Sequence, residues 1–363
     1  MNIFKLILIM VIIPTQGLKT KILIYSNGIG LIEETKKIKA KKGKGKHNLA
    51  GFASTMIPAS ILIENSSKKT EIKSFSSEKE NISINYEAQE EEEIEIKFIY
   101  LSLGIYWHTN YSAALRDENN NLYFNAWVHL KNDTGKDYEN ADISLVNSNF
   151  SFQEQKKIFL KKESVIYKCG NEITLKDKGQ ANFEYIKAAT LKTHESLRII
   201  LPEDNISLWE NRESELKAEK WLRIMNKKSN GLGKDLPPGS LSFYNQKGSN
   251  KFLAATKMHE TKKESAFSLP YSPFEGLKVK IVQSDFVQVT ENIVEVEYRI
   301  FIENKEKREL SAILILPIPK GQWELLSSSE PIFEVLKSQA RWIIFTPAES
   351  SKIFKVKYRF KKA

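Results

Sequence analysis

Cysteine is nearly missing from this chain: Cys169, in "VIYKCGNE", is the only one in 363 residues. That excludes an intramolecular disulfide, and it excludes a zinc or iron–sulfur centre held by thiolates. Glycine and proline are sparse and scattered, which removes the collagen-like and linker-rich classes. Arginine is scarce too. The net charge of +10 rests almost wholly on lysine, with a handful of arginines such as Arg223, Arg299 and Arg359. Nucleic-acid surfaces favour the planar fork of arginine, so nucleic acid is not an expected partner. The five histidines, His47, His108, His129, His194 and His259, show no H-x-H or H-x-x-x-H spacing and hence no local metal signature.

Long apolar runs are also missing, with one exception. "MNIFK" is short and weakly basic, Leu6 to Ile13 is continuously apolar, and "PTQG" breaks the run. This is the layout of a secretory signal peptide, with cleavage expected near Gly17. The run is too short to cross a bilayer, which takes about 20 apolar residues. The expectation is an exported protein of the periplasm or cell surface, with no transmembrane helix after signal cleavage.

Past residue 20 the dominant period is two. Phe354, Val356, Tyr358 and Phe360 alternate with Lys355, Lys357, Arg359 and Lys361; Val294, Val296, Tyr298, Ile300 and Ile302 share one side of "NIVEVEYRIFIEN". "EEIEIKF" and "LKVKIV" repeat the pattern. Such alternation marks antiparallel strands with one buried face. Charged residues at mid-strand on the outward faces argue against a transmembrane barrel. Three segments share a strand, an Asn, a polar turn and a second strand, with pivots at Asn132, Asn226 and Asn304. An Asn at a strand end folds its side chain onto the turn or accepts a left-handed backbone. One stretch conflicts with this design: residues 210–225 are rich in helix formers. The repeat demands a strand from about Trp221 to Asn226 and leaves room for a short helix before it.

The chemical motifs read as structure. "NDTGKD" contains the Asp-Thr-Gly of aspartic proteases, but no second copy exists, and Asn-Asp-Thr-Gly is a good turn. Ser-x-x-Lys at Ser66 and Ser76 lacks a Lys-Thr-Gly partner. "GLGKDLPPG" places Asp235 where a phosphate loop needs Ser or Thr, and "KKGKGK" has no strand leading into a helix; both read as turns. Glu90 to Glu93 read as a solvated strand entry. In "GIYWHTNY" the alternation sends Ile105, Trp107, Thr109 and Tyr111 to one face and Tyr106, His108 and Asn110 to the other, so Trp107 and His108 are not partners.

"GIYWHTNYSAAL", "LYFNAWVHLKNDTGKDYENADISLV", "NGLGKDLPPGSLSFY" and "VQVTENIVEVEYRIFIENKEKRELSAILILPIP" together resemble, in order, the bacterial family called domain of unknown function 4139, some of whose members are labelled mucoidy-inhibitor-like. The resemblance covers roughly residues 100–363 and rests on Trp107 with Tyr111, the turn at Asn132, and Leu236 to Gly239. "YSNGIGLIEETKKIKAKKGKGKHNLAGF" and "IPAS" resemble the β-portion that precedes it in relatives. The resemblance implies an exported, mostly β protein and transfers no catalytic residue.

The expected fold is therefore all-β, with two or three antiparallel β-sandwich-like modules after a signal peptide. The expected divisions are a signal peptide at 1–17, an N-terminal β-module at 18–95, a middle sandwich at 96–235 and a C-terminal sandwich at 236–363. The expected role is that of a non-catalytic cell-envelope protein binding an acidic envelope polysaccharide or a partner protein; the alternative is a periplasmic hydrolase of polysaccharide or peptide. No catalytic, cofactor-binding or metal-ligating residue is assigned, and no cofactor is expected. The outward face with Lys355, Lys357 and Arg359 is one place where an acidic ligand could bind.

Overall fold

Alternating apolar and polar side chains dictate extended chain wherever one face can be covered, and nearly every described segment obeys. The computed structural model describes residues 19–116, 121–147, 165–202, 213–246, 251–318, 323–336 and 338–361. The expected signal peptide lies outside these residues. The fold is all-β. Among the described residues the only helical turns are two 3-10 turns, Pro58–Ser60 and Lys228–Asn230.

The strands of the first half are β1 (Lys21–Tyr25), β2 (Ile29–Ala40), β3 (Gly43–Leu49), β4 (Leu62–Asn65), β5 (Thr70–Glu78), β6 (Asn81–Ala88), β7 (Glu92–Leu103), β8 (Ile105–Leu115), β9 (Asn121–Asn132), β10 (Tyr138–Val146) and β11 (Ile166–Leu175). Those that follow are β12 (Gln180–Ile200), β13 (Glu213–Met225), β14 (Gly239–Asn245), β15 (Lys251–Met258), β16 (Ala266–Thr290), β17 (Ile293–Asn304), β18 (Leu310–Pro317), β19 (Trp323–Ser328), β20 (Glu334–Leu336), β21 (Gln339–Thr346) and β22 (Ser351–Lys361).

The chain forms two units that interleave in sequence. The first comprises Met1–Asn110, Asn125–Lys187 and Asp235–Gly239; the second comprises Tyr111–Phe124, Ala188–Lys234 and Ser240–Ala363. The first unit holds a six-stranded sheet in the order β11-β10-β1-β2-β7-β4 and a three-stranded sheet β3-β6-β5. Ile94, Ile96 and Phe98 of β7 are buried, as the alternation requires. In the second unit an unbroken ladder runs β19-β22-β17-β16-β13, continues through the second half of β12 to β18, and ends at β21 and β20. It folds over one core in which Ile300, Trp342, Phe354 and Val356 are fully enclosed. Burying each such side chain contributes about 1.5–3 kcal/mol.

The three Asn pivots build three copies of one corner. Each Asn is buried at the end of its strand. Its backbone N–H donates to a carbonyl after a second turn: Asn132 to Gly179, Asn226 to Ser265, Asn304 to Ser350. Its Nδ2 donates across the first turn, to the carbonyls of Lys136, Lys234 and Arg308 respectively, and also to the neighbouring strand end, at Leu175, Thr261 and Thr346. Its Oδ1 accepts from the backbone of Thr134, Gly233 or Glu306. One residue before Gly179, Ser265 and Ser350 the backbone is left-handed, at Lys178, Glu264 and Glu349. One amide side chain thus satisfies turn groups that would otherwise be buried without partners.

Two local expectations change. The helix-forming stretch before Trp221 is strand throughout its described part, because β13 pairs with β12 on one edge and β16 on the other. Ladder bonds on both edges and burial of Ala218, Leu222 and Ile224 outweigh local propensity. "KKGKGK" is not a turn throughout: β3 begins at Gly43, and Gly45 lies under the Tyr86 ring, where a Cβ would come within 2.3 Å of it. The glycine makes room for an aromatic ring inside a strand.

Candidate functional site: an arginine cleft in the second unit

The face of this sheet opposite the core is set by parity. Leu197 and Ile199 point into the core from β12, so Ser196 and Arg198 point away from it. Register then places Trp221 beside Ser196 and Arg223 beside His194 on β13, with Ser268 of β16 next to Arg223. On the other side Arg198 lies beside Ile313 of β18, Ile315 faces Arg341 of β21, and Arg341 faces Glu334 of β20. Four strands, β12, β13, β16 and β21, thus deliver three arginines, a tryptophan and two serines to one concave surface. Two adjoining hollows of about 410 and 480 Å³ share Arg198, Ala266, Ser268 and Arg341 as walls.

The guanidiniums are unequally partnered. Arg341 donates to Glu334 Oε2 at 2.7 Å. Arg198 donates to the Ser268 hydroxyl at 2.8 Å and lies over the Trp221 indole, 4.4 Å from its centre. Trp221 is itself held by donating Nε1–H to Glu219 at 2.9 Å. Neither Arg198 nor Arg223 has a carboxylate partner among the described residues. Nε of Arg198, Nε of Arg341 and Oγ of Ser196 are buried with no hydrogen-bond partner in the protein. Burial first, then the positive charges of Arg341 and Arg223, push the Arg198 pKa down to about 10. Arg198 still carries its charge at neutral pH, and three like charges sit together at a cost that an anion would offset.

Two carboxylates line the cleft, and each is committed. Glu334 pairs with Arg341; Glu195 accepts from the Tyr271 hydroxyl, whose ionisation burial and Glu195 push upward. Exposed Phe333 stands at the rim.

The residues singled out in the sequence lie elsewhere. Trp107 is buried against Tyr167, while His108 points outward and stacks on His129. Asp133 of the Asp-Thr-Gly pairs with Lys131. Lys136 is buried on Glu34. Cys169 is half-buried within β11. The basic face of β22 is partly paired: Arg359 pairs with Glu295 and Glu324, and Lys357 with Asp285 and Glu295, while exposed Lys355 has no ion-pair partner among the described residues. Among the described residues no group of three or more His, Cys, Asp or Glu is placed to hold a metal ion, and no helix is long and apolar enough to cross a membrane. Sequence inspection misses the cleft because Arg198, Arg223 and Arg341 are far apart in the chain. Scarcity gave no pointer either: five of the eight arginines, Arg198, Arg223, Arg299, Arg341 and Arg359, fall on outward positions of strands.

No family model matches the chain, and no curated protein matches it.

Proposed function

We propose that the protein is an exported, non-catalytic envelope protein that binds an acidic polysaccharide in the arginine cleft. The observation that carries this is the convergence of Arg198, Arg223 and Arg341 with buried N–H donors left unpartnered. Arginine is suited to planar carboxylates because its fork offers parallel donors. Trp221 and Phe333 add apolar walls against which a sugar ring can lie. Export rests on the N-terminal sequence, and the resemblance of residues 100–363 to a family of exported β proteins supports it. A hydrolase would need two carboxylates free to exchange a proton; Glu195 and Glu334 are each held by another side chain.

The test is retention on immobilised polygalacturonate, with unsubstituted dextran as control. The wild type is retained on the acidic matrix and eluted by salt, while Arg198→Gln and Arg341→Gln lose about tenfold or more in affinity. Retention that salt does not weaken, or variants that bind as the wild type does, would overturn the proposal.

A further inference from the structure

The outer face of β8 and β9 in the first unit carries an unusual set of side chains. Trp107 and Thr109 of β8 are buried, so Tyr106, His108 and Asn110 face outward. On β9, Ala126, Val128 and Leu130 are buried, which turns Trp127 and His129 outward. The His108 and His129 rings stack with centres 4.6 Å apart and planes inclined by 12°. With those two side by side, the two-residue period places Trp127 beside Asn110. Tyr106 then lies about 14 Å along the strands from Trp127, at about 3.4 Å per residue.

The face is rigid. His129 is gripped on both ring nitrogens: Asn110 Nδ2 is 3.1 Å from Nε2, and Asn182 Oδ1 is 2.7 Å from Nδ1. The Asn110 amide donates to Nε2, and Nδ1–H donates to the Asn182 carbonyl. Tyr106 packs over Gly28, where a Cβ would come within 2.2 Å of its ring. One face of the phenol is thereby fixed against backbone. Yet Tyr106 is 45% and Trp127 39% exposed, large values for aromatic residues. Exposed rings gathered on one face mark a binding surface more often than chance.

Tyr106, His108, Asn110, Trp127, His129 and Asn182 put no lysine, arginine or carboxylate at the centre of the face; Glu184, exposed two residues along β12 from Asn182, stands at its edge. Burial, and then the neighbouring His129, lower the His108 pKa from its ordinary value, which keeps this ring neutral at pH 7. Lys131, next outward on β9, is neutralised by Asp133 at 2.6 Å. A flat face with two separated rings, amides between them and one carboxylate at its edge suits a chain of neutral pyranose rings, whose hydroxyls a carboxylate also accepts from. The apolar ring faces of the sugars would lie on Trp127 and Tyr106, and their hydroxyls would meet the unused Asn110 carbonyl and Asn182 amide N–H groups. Rigid aromatic contacts lose little entropy on binding. The two rings are too far apart for one monosaccharide to touch both, so the occupant is an oligosaccharide. We propose that this face of β8 and β9 is a binding platform for a neutral glycan chain, separate from the arginine cleft.

Calorimetric titration of the full chain with cellohexaose, chitohexaose and mannohexaose tests this. At least one hexaose binds with a dissociation constant of about 1 mM or tighter, its monosaccharide does not, and Trp127→Ala and Asn182→Ala each weaken it about tenfold. Far-UV circular dichroism verifies that the variants fold. Arg341→Gln leaves hexaose binding unchanged, so loss of the acidic-matrix interaction and loss of this one are read separately. No binding of any of the three hexaoses by the wild type, or equal binding by a folded Trp127→Ala, overturns the proposal.

Discussion

Tyr100 donates its hydroxyl hydrogen to Glu34 Oε1 at 2.6 Å, and both side chains are buried in the first unit. The second carboxylate oxygen accepts from Lys136, and Lys36 approaches it at 3.6 Å. The Lys136 ammonium also sits 5.7 Å from the Tyr138 ring centre. One carboxylate on β2 therefore ties together a phenol on β7 and an ammonium on the turn after Asn132. Burial, and then the Glu34 charge, push ionisation of Tyr100 far above the ordinary phenol range.

Removing the carboxylate leaves a buried ammonium alone. Glu34→Gln is expected to lower unfolding stability by about 3–5 kcal/mol, as breaking a buried ion pair does. Burial already lowers the Lys136 pKa while Glu34 raises it. In the variant only the lowering remains. Between the depressed folded pKa and the unfolded value of 10.5 the unfolded chain binds the extra proton, so stability rises with pH across that interval. Urea denaturation of the variant from neutral to alkaline pH checks this; a flat profile contradicts it.

Tyr100→Phe is the milder probe. It deletes the hydrogen bond to the Glu34 carboxylate and the long one that the hydroxyl accepts from the Ala53 N–H at 3.4 Å, at about 1.5–3 kcal/mol, and leaves the Lys136–Glu34 pair in place. A shift in the denaturant midpoint without a change in slope is the expected signature.

The three corners predict matched losses. Asn132→Ala, Asn226→Ala and Asn304→Ala each orphan several buried turn carbonyls, and each is expected to cost about 3 kcal/mol or more. Asn304→Asp is expected to do no better, because three carbonyls, those of Arg308, Thr346 and Pro347, would then face an oxygen in place of the amide N–H donors. Thermal denaturation of the set measures whether the losses agree; a neutral Asn304→Ala would refute the shared design.

The basic strand β22 predicts acid sensitivity. Arg359, and then Lys357, hold the Glu295 carboxyl below its ordinary value of 4.5. A depressed folded pKa gives stability that is present above the unfolded value and lost as pH falls through the folded one. Glu295→Gln should therefore lower the melting temperature at neutral pH and narrow the gap between neutral and acid melting temperatures. Equal gaps in wild type and variant would count against this pairing.

The cleft predicts that geometry outranks charge. Arg198→Lys keeps the positive charge but loses the fork and the stacking on Trp221. Affinity for polygalacturonate is expected to fall nearly as far as in Arg198→Gln, a comparison the same binding assay makes directly.

Much of the fold was legible because a two-residue period is a local property: Val294 to Ile302 and Phe354 to Phe360 announce their buried face within a dozen residues. The Asn pivots were legible because the turn chemistry is local too, although the second turn that completes each corner lies 35 or more residues away. The helix-like stretch before Trp221 misled because its strand state is imposed by β12 and β16 from outside. The cleft was illegible for the same reason. Parity shows that Arg198, Arg223 and Arg341 face away from a core, but only pairing across β12, β13, β18 and β21 shows that they face one another. The basic face of β22 is a local pattern, and only the register shows that Asp285, Glu295 and Glu324 of other strands pair with Lys357 and Arg359 in it.

Strand β16 is 25 residues long, and its partners change along its length: its first stretch pairs with β13, Lys278 to Val282 pair with both β13 and β17, and its last stretch pairs with β17. Neither neighbour can peel away without fraying a backbone that the other also grips. Heat or tension applied at one end is thus handed along a single covalent rail, and the second unit should give way in one step rather than shed its pieces in turn.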